Sequence, residues 1–300
     1  MSDAFAIQTN GLRKSYETVE ALKGLDLEVP RGSICGFLGR NGSGKTTTMK
    51  ILLGMTHATA GTARVFGLAC DAPDANVEIR RRTGFVSEEK DLYDFMTVGE
   101  IVRFTASFYP RWRTDLEERY LRAFELPPGR RIKALSRGMR TKLSLLLALC
   151  RSADLLVLDE PTSGLDPAMI EEMLQAIVSH VASEEATVFF SSHQIAEVEQ
   201  IADRVTIIDR GRAVLSGSLD DLREGYRRLQ LVFDGAAPEA GLRSPGVLRV
   251  RREGRVLTVL ANAGADRIRE EARAMGARSI DEIPVTLKEI FLETVAGEED

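Results

Sequence analysis

The chain has 300 residues, 44% of them apolar and 28% charged, and a formal net charge of −5. This length and apolar content allow a large core with room for a second, smaller domain, and the acidic balance gives no electrostatic reason to expect a nucleic-acid partner. The longest unbroken apolar run, Leu145 to Cys150, is far short of the ~20 residues of a membrane-spanning helix, so membrane association is expected only through a partner.

From the amino terminus, residues Phe5 to about Gly67 predict an antiparallel β edge, a central strand with its helix, and a short returning strand from Thr62 to Phe66. Tyr16 stands in a polar stretch ahead of the apolar segment Leu22 to Val29. The run Ile34, Cys35, Gly36, Phe37, Leu38 then leads directly into GRNGSGKTT, Gly39 to Thr47, which fits G-x-x-x-x-G-K-S/T. A strand feeding a glycine loop that opens a helix is a phosphate cradle. Gly39, Gly42 and Gly44 permit positive φ and close backbone approach, so successive N–H groups converge on a phosphate at a helix N-terminus. Gly39, Arg40, Asn41, Gly42, Ser43, Gly44, Lys45, Thr46 and Thr47 are therefore candidate nucleotide contacts. Lys45 is expected to reach the β- and γ-phosphates, and the Thr46 hydroxyl to hold Mg²⁺.

From about Glu88 to Ala153 the pattern turns helical. Phe104 and Phe108 have i,i+4 spacing and predict core packing. Tyr93, Phe95 and Met96 precede the helix in a loop with Asp91 and Asp94; they read either as core or as an exposed groove for a partner helix, and the loop context favours the groove. Ser136 can cap a helix from about Gly138 to Cys150 with an apolar stripe of Leu143, Leu146, Leu147 and Cys150. Leu155 to Leu158 has no polar face, as suits a strand covered on both sides in a parallel sheet, and it ends in Asp159 and Glu160. Asp159 is placed to hold the Mg²⁺ shell through water, and Glu160 to polarise an attacking water as general base. Pro161 to Asp166 turns the chain, a strand from Thr187 to Ser191 follows, and Ser192-His193 puts an imidazole where a γ-phosphate sensor would sit.

Two strands, Arg204 to Asp209 and Ala213 to Ser216, precede a short helix near Leu219 to Glu224. Beyond Tyr226, the segments Leu229 to Phe233, Val247 to Arg251, Val256 to Leu260 and Arg278 to Ile283 predict strands, and Asp266 to Met275 and Leu287 to Val295 predict helices. This small α+β appendage is near the lower limit for independent folding and is expected to lean on the larger domain or on a second copy. The clusters Arg80 to Arg82 and Arg249 to Arg252 read as solvated faces, and Cys35, Cys70 and Cys150 as buried thiols of a reducing compartment.

The order of these motifs resembles the nucleotide-binding subunit of ATP-binding-cassette transporters over about residues 5 to 225. Leu135-Ser136-Arg137-Gly138-Met139 stands where that family has LSGGQ. The resemblance implies an α/β P-loop NTPase fold with a RecA-like parallel sheet, an antiparallel β subdomain and a helical insertion (about 88–153), forming a cassette of residues 1–226 followed by an α+β domain of 227–300. It implies ATP and Mg²⁺ as ligands, Glu160, His193 and Lys45 as catalytic residues, adenine stacked on Tyr16, and further nucleotide contacts from Ser136, Gly138 and Asp166. In the family the signature acts in trans, two cassettes facing head to tail, so a second copy or a paralogous cassette and separately encoded membrane subunits are the implied partners, with export the implied task. Glu88 takes the place of the family's glutamine and is assigned with Thr46 and Asp159 to the metal shell, Glu89 being its rival if the register slips. Arg137 and Met139 depart from the family pattern, Arg137 adding a cation beside the expected phosphate contact. The alternative is a soluble cassette ATPase acting on ribosomes or DNA; those relatives carry two cassettes in one chain or long coiled coils, which are not seen here.

Overall fold

The computed structural model describes residues 4–89, 91–238 and 242–296. They divide into two compact units, Met1–Ser216 and Gly217–Asp300.

In the larger unit, β1 (Phe5–Tyr16) and β2 (Val19–Pro30) form a long hairpin, after which β3 (Ile34–Leu38) enters a different sheet and hands the chain to α1 (Lys45–Leu52). β4 (Ala60–Val65) returns beside β1, and the short β5 (Leu68–Ala69) completes a four-stranded antiparallel sheet in the order β2-β1-β4-β5. Next come α2 (Pro73–Arg82), β6 (Thr83–Val86), α3 (Val98–Ala106), α4 (Thr114–Ala123) and α5 (Arg137–Leu149). They are followed by β7 (Leu155–Leu158), α6 (Pro167–Glu184), β8 (Thr187–Ser192), α7 (Ile195–Ile201), β9 (Arg204–Asp209) and β10 (Arg212–Ser218). The second sheet has six strands in the order β10-β9-β3-β8-β7-β6, and the five from β9 to β6 run parallel.

Burial follows from that arrangement. β3 and β7 are wholly buried, as strands covered on both faces must be. Phe37 of β3 packs on Phe189 of β8 with ring centroids 5.1 Å apart. Ile7, Leu25 and Leu27 of the antiparallel sheet share a core with Phe37, Met49, Leu52 and Phe189, which holds α1 between the two sheets. Because β3, β8 and β7 are neighbours in parallel register, Leu38 beside Ser192 and Leu158 beside Phe190, the loops that leave their carboxyl ends emerge on one edge.

In the smaller unit, α8 (Leu219–Gly225) leads into β11 (Arg227–Val232), β12 (Val247–Glu253), β13 (Val256–Ala261), α9 (Ala265–Ala274), β14 (Ser279–Ile283) and α10 (Leu287–Ala296). The four strands form an antiparallel sheet ordered β12-β13-β11-β14. Ile268 and Ala272 of α9 seal one face over Leu229, Leu231, Leu257 and Val259. α10 is tied to the strands by Glu289 with Arg228 at 2.6 Å and Glu293 with Arg249 at 2.9 Å.

Several expectations are corrected. The compact units divide after Ser216, within β10, where the sequence reading ends the cassette at 226; Ser218 accepts a hydrogen bond from the Asp221 amide (3.0 Å) and caps the helix that leads into β11. Phe104 and Phe108 are surface residues, 42% and 63% exposed, and the i,i+4 aromatic pair of the core is Tyr120 with Phe124. Arg82 is no solvated residue: its guanidinium pairs with Asp154 at 2.6 Å and lies 4.0 Å over the Phe66 ring. α5 is buried nearly all round, with Leu147 only half-buried. α2 and α6 were not anticipated: α2 buries only Asn76 and Ile79, and α6 starts at the Asp166-Pro167 step that reads locally as a turn. Cys35, Cys70 and Cys150 are buried as expected, and burial pushes the Cys35 and Cys70 thiols up to about 12.

His180 is buried in α6 with neither ring nitrogen hydrogen-bonded among the described residues, and burial draws its pKa below 6.5. The unfolded chain then binds a proton that the folded chain refuses, so this residue's contribution to stability is complete above pH 6.5 and is lost as the pH falls below it. Thermal melts of the wild-type chain should weaken from pH 7.5 to about 5.5, and a His180→Phe variant should show a shallower slope.

Candidate active site

The glycine loop is shaped by what has no room beside it. Gly44 sits at φ +113°, and a Cβ there would come within 2.7 Å of Leu22 and 2.9 Å of the Ala21 carbonyl. A Cβ on Gly39 would meet Ser43 Oγ and the Ile208 carbonyl, both at 2.5 Å. Lys45 opens α1 and folds back over the loop, donating to the Gly39 carbonyl at 2.8 Å and the Arg40 carbonyl at 3.4 Å. Ser43 Oγ is buried without a hydrogen-bond partner among the described residues.

The carboxyl end of β7 supplies the acidic half. Glu160 adopts φ +45°, a left-handed conformation costly for a side chain other than glycine. Its Oε1 lies 3.3 Å from Lys45 Nζ and its Oε2 is 2.8 Å from His193 Nδ1. Lys45 and Glu160 are almost sealed from water, whereas the His193 side chain is 46% exposed. Asp159 is buried, and its Oδ1 accepts a 2.6 Å hydrogen bond from Ser191 Oγ, which in turn accepts from the Glu160 amide at 2.9 Å.

A cleft of about 370 Å³ gathers Tyr16, Asn41, Gly42, Gly44, Lys45, Thr46, Thr47, Glu88 and Glu160. Tyr16 is exposed, and its ring has Lys14 Nζ 4.8 Å from the centroid. A glycine cradle, an unpartnered buried hydroxyl and an exposed ring at the far side fit a nucleoside triphosphate. No cluster of three or more His, Cys, Asp or Glu side chains forms among the described residues. Thr46 and Glu88 line the cleft with oxygen donors of the kind a hard cation takes beside phosphate oxygens, and Asp159 is not among the lining residues.

Ser136, Gly138 and Asp166 do not line this cleft. Ser136 caps α5 by accepting from the Met139 amide at 3.2 Å, and Asp166 caps α6 by accepting from the Met169 amide at 2.9 Å. Gly138 packs against Met169 and Leu165 with no space for a Cβ. Arg137 is engaged within the chain: its guanidinium covers Gly164 and is 3.5 Å from Ser163 Oγ. Glu88 and Glu89 share a second, open hollow with Arg137 and Arg140.

Two residues escaped the sequence reading. The buried Glu197 of α7 accepts from Thr162 Oγ1 at 2.7 Å and Ser192 Oγ at 2.8 Å, fastening the loop after Glu160 to the segment that carries His193. Ser191 links Asp159 to the Glu160 amide. The available signal was a pair of hydroxyls ending an apolar strand, since buried hydroxyls need partners.

A family model described as ABC transporter matches residues 22–163, and one described as AAA domain, putative AbiEii toxin, Type IV TA system, matches 128–199. The Nod factor export ATP-binding protein I of Ralstonia nicotianae is 30% identical over 97% of this chain and 94% of its own. The bacitracin transport ATP-binding protein BcrA of Bacillus licheniformis is 35% identical over 74% of this chain and 72% of its own. A solved structure of an ATP-binding subunit of an ABC transporter, 29% identical, superposes with a TM-score of 0.66 over 73% of this chain and 92% of that one. A bacterial ABC transporter cassette solved as a dimer, 23% identical, shares the fold with a TM-score of 0.65 over 71% and 98% of the two chains. The chain thus belongs to the ABC transporter ATP-binding family, the ATP-hydrolysing subunits of these transporters.

Proposed function

We propose that this chain binds Mg²⁺ and ATP in the cleft between Tyr16 and Glu160, hydrolyses the nucleotide in a head-to-tail pair of cassettes, and so powers export through separately encoded membrane subunits. The observation that carries it is the meeting of Lys45, Glu160 and His193 at the mouth of the glycine loop. Lys45 exchanges the Gly39 and Arg40 carbonyls for phosphate oxygens, which releases Glu160 Oε1 to take a proton from water. His193, hydrogen-bonded to the other oxygen, fixes the direction of that carboxylate and, being half-exposed, can also meet the γ-phosphate. Thr46, Asp159 and Glu88 would hold Mg²⁺, whose chemistry there is to offset charge on the phosphate oxygens. Tyr16 offers its ring to adenine.

In this reading Ser136 and Gly138, which lie outside the cleft, present the α5 N-terminus to the nucleotide of the second cassette. Asp166 holds α6 and with it the loop that packs under Arg137. The location in this reading is the cytoplasmic face of the cell membrane, beside the membrane subunits, and the relatives named as ATP-binding subunits of transporters support it. Relatives named for bacitracin transport, for daunorubicin/doxorubicin resistance (36% identical) and for Nod factor export support the direction outward.

Glu160→Gln keeps the shape of the side chain while removing the base. It should leave ATP binding intact and lower turnover by about 10²- to 10⁴-fold, measured by equilibrium nucleotide binding beside phosphate release. Unchanged turnover would remove Glu160 from the role of base. Glu197→Ala strands the Thr162 and Ser192 hydroxyls; urea unfolding should show a loss of about 1–3 kcal/mol, with a lower kcat, and Glu197→Gln should recover part of both. Glu88→Gln should shift the Mg²⁺ concentration needed for half-maximal ATP binding, and a flat response would place Glu88 outside the metal shell.

A further inference from the structure

A cleft of about 390 Å³ opens where β6 and β7 begin, at the edge of the parallel sheet opposite the nucleotide loops. Arg82 and Asp154 immediately precede those two strands and pair at 2.6 Å. Arg81, Arg111 and Arg151 line the same cleft, together with Tyr109 and Glu78. The loop of Tyr93 and Phe95, whose rings are exposed, is not part of its lining.

The arginines stand on a fixed frame. The Arg82 carbonyl accepts from the Asp154 amide at 2.9 Å, the Arg111 carbonyl from Ser152 Oγ at 2.7 Å, and the Cys150 carbonyl from the Arg113 amide at 2.8 Å. Arg151 donates to the Arg80 carbonyl at 2.9 Å and lies 3.9 Å from the centroid of the Tyr109 ring. Its Nε is buried without a hydrogen-bond partner among the described residues, and burial lowers its pKa. Arg81 and Arg111 are exposed and have no ion-pair partner among the described residues.

We propose that this cleft binds a phosphate group, held between Arg81, Arg111 and Arg151. The charge balance carries the inference. Four guanidinium groups face two carboxylates, Glu78 and the Asp154 that holds Arg82, which leaves a surplus of two positive charges. Arg81 sits in the last turn of α2, whose carboxyl end offsets only roughly half a charge. A phosphate monoester carries about −1.5 to −2 at neutral pH and closes the balance, as a single carboxylate does not. Arg151 gives the reason to need it, because a partly buried guanidinium without a counter-ion is costly until an anion arrives. Its Nε is an unused donor, and phosphate oxygens accept from guanidinium forks in pairs. A soluble phosphomonoester and a lipid headgroup share this chemistry and differ only in what lies beyond the phosphate.

The test titrates the full chain with inorganic phosphate in a calorimeter, with ionic strength held constant by chloride, and compares wild type with an Arg81→Ala, Arg111→Ala double variant. Both substitutions alter exposed, unpaired side chains, so the melting temperature in chloride should stay within about 2 °C of wild type. Phosphate taken by the glycine loop is common to both chains and cancels. The remaining affinity should fall about tenfold or more in the double variant, and Arg151→Met should lose it as well. Identical titrations of wild type and double variant overturn the proposal. If malonate binds wild type as tightly as phosphate and the double variant loses both, the cleft takes carboxylates and the phosphate assignment is overturned. Glycerol 3-phosphate and vesicles of phosphatidic acid in phosphatidylcholine separate the two sources. Binding of the first without sedimentation on the vesicles supports a soluble ligand, and sedimentation that the double variant loses supports a lipid headgroup.

Discussion

Lys45 and Glu160 place an ammonium and a carboxylate 3.3 Å apart where water scarcely reaches. Removing two such charges from water costs several kcal/mol each, and attraction between them offsets that only when the remaining polar atoms are also satisfied. The loops around the pair supply those partners: the Gly39 and Arg40 carbonyls for the ammonium, His193 for the second carboxylate oxygen. Glu160 Oε1 still has no aligned hydrogen bond, only the nearby charge of Lys45. The arrangement is thus complete enough to fold while one carboxylate oxygen is left without a hydrogen bond.

The pair in turn dictates how firmly its two loops must be held. Neither loop can move independently without exposing a lone charge, and on the acidic side Ser191, Thr162, Ser192 and Glu197 fasten the Glu160 loop to the segment that carries His193. Parallel register does the rest, because neighbouring β3, β8 and β7 end together and deliver all three loops to the same edge. The left-handed φ of Glu160 belongs to the same economy of position: a residue strained in this way is kept there by its surroundings, not by local preference.

Much of this was legible in the sequence because it rests on local rules. The glycine loop announced itself through residue types that only a tight, left-handed backbone requires, and Gly44 shows why, with the Ala21 carbonyl and Leu22 occupying the space of a Cβ. The buried strands Ile34 to Leu38 and Leu155 to Leu158 declared themselves by lacking a polar face. What was not legible depended on partners distant in sequence. Glu197 looks like one more helix-surface acid until folding sets it against Thr162 and Ser192. Phe104 and Phe108 satisfy a helical core period, yet the helix ends at Ala106, before Phe108, and it turns its apolar face elsewhere, burying Val98, Ile101 and Val102 instead. Spacing reveals that two rings share a face and leaves open which way that face looks. The division after Ser216 was hidden similarly, since the short helix that follows reads as an ending but is capped as a beginning.

The smaller unit ends its sheet in β12, where Leu248 to Glu253 are all exposed along a border with open backbone groups. An unpaired border of this kind is a template on which another chain can add a strand. Here it carries Arg249, Arg251 and Arg252 against one carboxylate of its own, Glu253, so a second copy laid antiparallel along the same border would set two cation-rich strands side by side. The strand therefore carries its own guard against symmetric sheet fusion. The smaller unit thus keeps an open border without offering it to a second copy of the same strand.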